Sequence, residues 1–181
     1  MGLQGCTGAT DAILGNDSEI EVPEWEVGDW WLFTFTTPEF SDDSARLVVA
    51  TVDEEEDGNA YMLGISSEEE ARRHAVLNHN PFLGRITHSD LGVFENGVEQ
   101  PVLSFPIGDR SWTFTLFEKD WSATASIEGD RAFISASNDN GEDLRYTYDS
   151  NSKFISSFVH TDSNDIEVLR MSLAQSGSDH T

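Results

Sequence analysis

The carboxylates are the side chains of this sequence that could do the most chemistry. Its 181 residues include 34 Asp and Glu, and two short runs, residues 53–59 and 138–143, place several of them around a glycine. Carboxylate oxygens in such loops suit Ca²⁺, which tolerates variable coordination geometry. Neither run has the complete spacing of an EF-hand loop, and a solvated acidic turn is the alternative interpretation of both. The candidate Ca²⁺ ligands are Asp53, Asp57, Asp139 and Asp143.

The five histidines offer a second kind of chemistry, because imidazole is a common zinc ligand. His74 and His79 are five residues apart, which places them on different faces of a predicted helix, and His88 follows in the next segment. Three neutral surface imidazoles are the alternative to a zinc site. We expect His160 at the end of a strand, hydrogen-bonded to a loop.

Established catalytic motifs are missing from the sequence. It contains no G-x-S-x-G elbow, no phosphate-binding glycine loop, no H-E-x-x-H and no C-x-x-C. A glycosidase-like pair of carboxylates can be drawn in many ways among 34 acids, and spacing alone selects none of them. The sequence therefore favours a noncatalytic protein, with a secreted hydrolase that uses paired carboxylates as the alternative.

The single cysteine, Cys6, is informative through its position. The segment Leu3-Gln4-Gly5-Cys6 resembles the lipobox of prokaryotic lipoproteins, whose cysteine receives a lipid after the signal peptide is cleaved, although Gln4 departs from the usual small residue. The resemblance implies an extracytoplasmic protein that is anchored to a membrane at Cys6 or secreted. Acylation that begins with myristoylation of Gly2 and a cysteine without a function are the alternatives.

Aromatic residues make up 10% of the chain, with 5 Trp and 11 Phe. Large aromatic side chains supply contact area to a ligand or partner, but within strands they also form the core. Both interpretations remain open. The candidates for binding a protein or an apolar ligand are Trp30, Trp31, Trp112 and Trp121.

Strands dominate the predicted secondary structure of the first half. Aromatic and β-branched runs predict them at residues 28–36, 45–52 and 60–65, followed by shorter ones at 83–88, 91–95 and 98–105. Ser66 or Ser67 followed by three glutamates predicts the start of a helix, with a hydroxyl as N-cap and acids in the first turn. We expect this principal helix over residues 67–77, ending near Pro81.

The second half alternates apolar and polar residues with a period of two. Trp112, Phe114 and Leu116 share one face of a strand, and Thr113 and Thr115 take the other. Further strands are predicted at 121–127, 131–137, 144–149, 153–160 and 166–173. The fold class is therefore α+β and β-dominated: an antiparallel meander sheet, curled or barrel-like, with one principal helix.

The two halves open in a similar way. Val27-Gly28-Asp29 precedes one aromatic strand, and Ile107-Gly108-Asp109 precedes another about 80 residues later. These openings, with residues 104–108, resemble segments of secreted archaeal and bacterial lipoproteins of unknown function, which implies an extracytoplasmic location. We expect a flexible tether over 1–20, one β-rich domain over 21–175 and a tail over 176–181. Within the domain, either 101–175 repeats 21–100 or two ordinary turns each precede an aromatic strand.

The net charge of -24, with a pI near 4.1, narrows the range of partners. Such a polyanion excludes nucleic acid, which is bound by clustered Lys and Arg, and it repels anionic lipid. A membrane is therefore expected only through an N-terminal lipid. The charge is typical of a halophilic protein, and an ordinary acidic extracellular protein is the alternative. We predict a noncatalytic extracytoplasmic domain without a required cofactor, which binds a protein or an apolar ligand.

Overall fold

The computed structural model describes residues 18–41, 43–55 and 58–179, with only the backbone for residues 53–55 and 58–59. The first-half strands are β1 (Asp29–Thr36), β2 (Asp43–Glu55), β3 (Gly58–Ile65), β4 (Gly84–Thr87), β5 (Val93–Glu95) and β6 (Val98–Gln100). The second-half strands are β7 (Ser111–Leu116), β8 (Lys119–Glu128), β9 (Arg131–Ser137), β10 (Asp143–Asp149), β11 (Phe154–Thr161) and β12 (Glu167–Ser178). Two short helices, α1 (Glu68–Ala71) and α2 (His74–His79), lie between β3 and β4.

Ten of these strands form one antiparallel sheet that does not close into a barrel. Their spatial order is β4-β3-β2-β1-β12-β11-β10-β9-β8-β7, and β5 pairs only with β6. The chain starts in the middle with β1, meanders to the edge strand β4, crosses to the opposite edge at β7 and meanders back until β12 pairs with β1. This architecture confirms the predicted fold class of a β-dominated α+β protein.

One face of the sheet, the inner face, carries the core. Alternate residues of β9 and β10 are buried along their whole length, as the period-two pattern predicted. The segment that crosses between the edges, residues 88–110, covers this face, and Tyr146 on β10 donates a hydrogen bond to the Val102 carbonyl at 2.6 Å. The segment before β1 packs there too, with the rings of Trp25 and Trp31 4.7 Å apart.

The principal helix expected over residues 67–77 is two short helices instead. Its start is confirmed, because the Ser67 hydroxyl accepts a hydrogen bond from the Glu70 N–H at 3.2 Å. The break falls at Arg73, whose backbone is extended and whose guanidinium bonds Asp43 at 3.0 Å. This break reorients the chain, and α2 buries two of its residues in the core.

The ends of the sheet differ from the predicted boundaries. The tail expected from residue 176 begins later, because β12 continues to Ser178 and pairs Gly177 with Trp30. A Cβ at Gly177 would stand 2.7 Å from the Trp30 ring, so only glycine admits this close packing. Ile20, placed at the end of the expected tether, is buried and forms a bridge with Ile107. The similar openings precede unlike strands, β1 in the middle of the sheet and β7 at its edge.

Candidate functional site

A groove of about 540 Å³ lies on the outer face of the sheet, next to the edge strand β7. It crosses β7 and β8 and reaches the turn after β9, and we call it the β7–β9 groove. Its lining residues are Gln100, Thr113, Phe114, Thr115, Asp120, Trp121, Ser122, Ser137, Asn138 and Asp139.

The alternation of the strands explains why this lining is polar. Thr113, Ser122 and Ser137 lie opposite one another on three neighbouring strands and are exposed. The residues beside them, such as Trp121, point to the inner face and are buried. Because successive side chains of a strand point to opposite faces, the serines and threonines of the second half are gathered in rows on the outer face.

The charge of the groove is negative. Asp120 and Asp139 are its charged lining residues, and Asp120 accepts a hydrogen bond from the Thr115 hydroxyl at 2.8 Å. Asn138 uses its side-chain oxygen to accept from the Glu142 N–H at 3.1 Å, while its buried Nδ2 has no hydrogen-bond partner in the described part of the chain. The groove thus offers carboxylates and hydroxyls, which suit a polar, positively charged ligand surface.

The strand beside the groove, β7, has one side that no strand pairs with in the described part of the chain. In an antiparallel edge strand, alternate residues direct both backbone polar groups away from the sheet. The Thr115 N–H points away from β8, because it bonds the Gln100 side-chain oxygen at 2.7 Å. The Arg110 carbonyl points toward β8, because it accepts from the Ala125 N–H at 3.0 Å. The residues that face outward are therefore Ser111, Thr113 and Thr115. The N–H of Thr115 is already bonded to the Gln100 side chain.

The β7–β8 hairpin that closes the groove holds a strained turn. Its two central residues, Phe117 and Glu118, both have positive φ, at 55° and 60°. A two-residue hairpin needs this geometry, which usually selects Asn-Gly, and for bulky residues it costs about 1–2 kcal/mol each. The Phe117 ring stacks on the His160 ring at 5.1 Å, and the Glu118 N–H bonds a Glu95 carboxylate oxygen at 2.7 Å. These contacts hold the turn in its strained form.

A charged cluster, Lys119–Glu142–His160, lies at the base of the same hairpin. The Lys119 ammonium is 2.5 Å from one Glu142 oxygen, and His160 Nε2 is 2.8 Å from the other. The Glu142 side chain is only 9% exposed. Burial acts to raise the pKa of Glu142, but the hydrogen bonds from Lys119 and His160 outweigh it and hold this pKa below its usual value.

This cluster positions loops rather than presenting a reactive group. Both oxygens of Glu142 are occupied, and the His160 ring lies between the face of Phe117 and the edge of Trp121. The three residues of the cluster come from the start of β8, the turn before β10 and the end of β11. Their contacts therefore join three loops at the rim of the β7–β9 groove.

A second cluster, Thr87–Asp90–Glu99, lies next to the other edge strand, β4. The Thr87 hydroxyl is 2.9 Å from an Asp90 oxygen and 3.1 Å from a Glu99 oxygen, and it accepts the Gly92 N–H at 2.9 Å. One hydroxyl proton cannot serve both carboxylates. The hydrogen bond with Asp90 raises the pKa of Glu99, and partial burial raises it further. The Asp90 carboxyl group therefore disfavours ionisation of Glu99 beside it.

The four tryptophans that were candidates for ligand binding lie apart from one another. Trp31 and Trp121 are core residues, 2% and 1% exposed, and Trp121 alone reaches the groove, as part of its floor. Trp30 lies on the outer face beneath the Arg46 guanidinium, 4.3 Å from the ring centre. Trp112, on the edge strand, bonds the backbone through its indole N–H. The structure does not bring the four together into one site.

The candidate Ca²⁺ ligands and the candidate lipidation site are described only in part. Cys6 and Asp57 lie outside the described residues, and Asp53 is described by its backbone in β2. Asp139 lies in the turn after β9 and Asp143 at the start of β10, and both are exposed. Within the described ranges no group of three His, Cys, Asp or Glu side chains could hold a metal ion. The Ca²⁺ prediction stays a prediction.

Three of the described histidines, His74, His88 and His160, make aromatic contacts. The His74 ring stacks on Phe40 at 5.2 Å, and the His88 ring lies 4.0 Å from Tyr61. His160 is at the end of β11 and bonds Glu142 in a loop, which confirms the role expected for it.

Sequence reasoning missed the partners in both charged clusters. Lys119 is one of only two lysines in the chain, which was a signal that its position matters. Glu142 belonged to an acidic run and looked like its neighbours, and Asp90 and Glu99 stood in segments of no distinctive pattern. The φ values at the β7–β8 turn had no signal in the sequence, because Phe and Glu are not residues that favour such a turn.

Comparisons with other proteins add no assignment to this geometry. The chain has no match among protein-family models, curated proteins or solved structures. No helix in residues 18–41, 43–55 or 58–179 has the length and apolar character needed to cross a membrane. The function of this chain is therefore inferred from the groove and the two clusters.

Proposed function

We propose that this chain is a noncatalytic extracytoplasmic domain, anchored by a lipid at Cys6 or secreted, which binds a partner protein at the β7–β9 groove. The observation that carries the proposal is the groove of about 540 Å³ beside a strand that, among the residues the structure describes, is paired on one side only. A partner protein can use both features together, since its side chains can enter the groove while its backbone meets the strand.

The lining favours a protein over an apolar ligand. Threonine, serine, aspartate and amide side chains dominate it, whereas sites for apolar molecules are lined mainly by hydrophobic residues. On the inner face, side chains of the crossing segment fill the space above the sheet: Leu91, Val102, Leu103 and Ile107 are each at most 1% exposed. An apolar ligand would have to displace this layer.

Crosslinking from within the groove tests the proposal. A photoreactive amino acid at Ser122, exposed in the groove, should form an adduct with an envelope protein of the native host. The same residue at Ser126, exposed on the same face of β8 outside the groove, is the matched control. An adduct from position 122 and none from 126 is expected. No adduct, or equal adducts from both positions, would refute groove binding.

The attachment is tested separately. With an upstream signal peptide supplied, the chain should be cleaved before Cys6 and lipidated there, and Cys6→Ser should release the body into the medium. Cys6→Ser that partitions with membranes like the parent chain would contradict the anchor and leave the groove unaffected.

The hydrolase alternative has one specific observation in its favour, the hydrogen-bonded pair Asp90 and Glu99 with its raised pKa. Two carboxyl groups that share a proton can activate water, as in aspartic proteases, but they lie closer together than the pair of a glycosidase, about 5 Å or more apart. A Cβ on Gly92 would be 2.8 Å from Glu99 and 3.1 Å from Asp90, so the pair closes on the backbone of its own loop. Peptide hydrolysis that Glu99→Gln abolishes would establish this alternative.

A further inference from the structure

We infer that β7 accepts an extended, basic segment of the partner as an additional antiparallel or parallel strand of the sheet, with its cationic side chains on the outer face beside the acidic β7–β9 groove. This inference rests on the proposed function and names the chemistry of the partner. Recognition by strand addition obtains affinity from backbone hydrogen bonds and specificity from alternate side chains.

Strand β7 has backbone N–H and C=O groups that are available for pairing. Ser111 and Thr113 direct their N–H and C=O groups outward, and no hydrogen bond to these groups is formed within the described residues. Both residues are exposed. Gln100 occupies the Thr115 N–H, so the open stretch ends there, and an added strand would pair with residues 111–113.

The other edge strand, β4, is short and is covered at Thr87 by the loop that follows it. β4 has four residues, and its last residue, Thr87, has both backbone groups bonded: its N–H to the Gly92 carbonyl at 3.1 Å and its carbonyl to the Leu91 N–H at 3.0 Å. Proteins commonly protect sheet edges by short strands, local covering, proline or a bulge. β7 has six residues in unbroken register with β8 and none of these protections over residues 111–113.

The negative charge of the groove indicates a positively charged occupant. Asp120 and Asp139 lie in the groove beside β7, and none of the ten lining residues is Lys or Arg. A second copy of this chain would bring another net charge of -24 to the same edge, which opposes pairing of two copies. A strand with Lys or Arg at alternate positions would place those side chains on the outer face, where the two aspartates lie.

Binding of a model peptide to the full chain tests the inference. The probe is a fluorescently labelled (Lys-Thr)₄ peptide, and the same peptide with N-methylated lysine backbone amides is the control, with equal charge and without the donors that would face β7. The expected result is binding of (Lys-Thr)₄ at least about tenfold tighter than its N-methylated form, the ratio that corresponds to one or two backbone hydrogen bonds. Equal binding of the two peptides would mean charge attraction alone and would overturn strand addition.

Two substitutions at one position separate pairing from packing. Thr113→Pro removes an outward N–H without removing a hydrogen bond to β8, and Thr113→Val keeps the N–H. We expect Thr113→Pro to weaken (Lys-Thr)₄ binding about tenfold and Thr113→Val to leave it within about twofold. If Thr113→Pro does not fold, hydrogen exchange of the parent decides: the Ser111 and Thr113 amides should gain protection when the peptide binds. Unchanged exchange would overturn the inference.

Substitution of the two aspartates tests the role of charge in binding. Asp120→Asn with Asp139→Asn should weaken binding of (Lys-Thr)₄, while the control Glu128→Gln with Asp130→Asn, which removes the same charge at the far end of β8, should not. Equal effects of the two pairs of substitutions would mean that the net charge of the chain, and not the two aspartates of the groove, determines binding. A dimer of the parent that Thr113→Pro dissociates would show that a second copy occupies β7, against the inference.

The Ser122 crosslink distinguishes this inference from the proposed function. An adduct that persists in Thr113→Pro would leave groove binding in place and refute strand addition. An adduct missing in the parent chain would refute the proposed function itself. Loss of the adduct in Thr113→Pro together with its retention in Thr113→Val is the result expected from strand addition.

Discussion

The hairpins beside the two edges of the sheet combine backbone strain and charge in opposite ways. Near β4, the β5–β6 hairpin turns through Asn96-Gly97, residues that adopt positive φ readily, and the neighbouring charges are two carboxyl groups of like sign. At β7, the hairpin turns through Phe117 and Glu118, which adopt positive φ at a cost, and the neighbouring charges are balanced by contacts between opposite signs.

The difference shows which contacts each edge requires. A relaxed turn forms without help, so the carboxyl pair beside it can repel at neutral pH without opening the hairpin. A strained turn persists only where its surroundings hold it, and the stacking of Phe117 on His160 together with the Lys119–Glu142 contact supplies this at β7. The contacts that hold this turn and the open edge of β7 therefore belong to the same hairpin.

Removing Glu142 should have the largest effect, because it leaves Lys119 and His160 without their shared partner. We expect Glu142→Ala to lower the free energy of unfolding by about 3 kcal/mol, the low end for a broken buried ion pair since Lys119 is half-exposed. Urea unfolding at pH 7 measures it. Glu167→Ala, which breaks the exposed pair with Arg170, is the control and should cost less than about 1 kcal/mol.

The pH dependence of this contribution has a defined sign. The pKa of Glu142 is lowered in the folded chain, so its stabilisation is present above its ordinary pKa of about 4.5 and is lost as the pH falls through the lowered value. The difference in unfolding free energy between parent and Glu142→Ala should therefore shrink below pH 4.5. A difference that stays constant down to pH 3 would contradict the ion-pair explanation.

Exchanging turn residues tests the contrast in strain. Glu118→Gly should raise the free energy of unfolding by about 0.5–1 kcal/mol, because glycine adopts positive φ without a Cβ clash. Gly97→Ala at the relaxed hairpin should lower it by about 1 kcal/mol, since φ is 80° and no neighbouring atom lies within 4 Å of the added Cβ. Thermal melts of both variants measure the effects. Loss of stability in Glu118→Gly would mean that its side chain outweighs the strain.

Neutralising one carboxyl group at the β4 edge should have a smaller effect of the opposite sign. The pKa of Glu99 is raised in the folded chain, so its favourable contribution is complete below about pH 4.5 and is lost as the pH rises through the raised value. Glu99→Gln should therefore stabilise the chain slightly at pH 7, by less than about 1 kcal/mol for this exposed group, and have no such effect at pH 4. Glu128→Gln, at an exposed glutamate of β8, is the control. A stabilisation by Glu99→Gln that is equal at both pH values would contradict the raised pKa of Glu99.

Salt should act on both edges alike and leave their difference in place. Electrolyte shortens the range of repulsion among the charges to about 8 Å at 0.15 M and about 3 Å at 1 M, so the melting temperature should rise with NaCl. Sucrose at matched osmolality separates screening from general exclusion at the surface. A melting temperature that is flat or falls with NaCl would indicate that the charges are already compensated, for example by Ca²⁺ at the acidic runs.

The sequence by itself determined the strands, because alternation is a local property. The strand predicted at 131–137 is β9 with the same bounds, and Thr113 and Thr115 lie on the face predicted for them, opposite Phe114. The polar side of the groove was therefore foreseeable from period two. The N-cap at Ser67 was foreseeable too, since a cap depends on residues within one turn.

Only the tertiary structure decided which strands lie at the edges and which charges meet. Pairing of β12 with β1 joins the two ends of the described chain, and Glu142 meets His160 across 18 residues and Lys119 across a hairpin and a strand. Among 34 acids, no local pattern distinguishes Glu142 or Glu99 from the rest. The physical reason is that strand order and register depend on packing of the inner face over the whole sheet, whereas alternation fixes only the direction in which each side chain points.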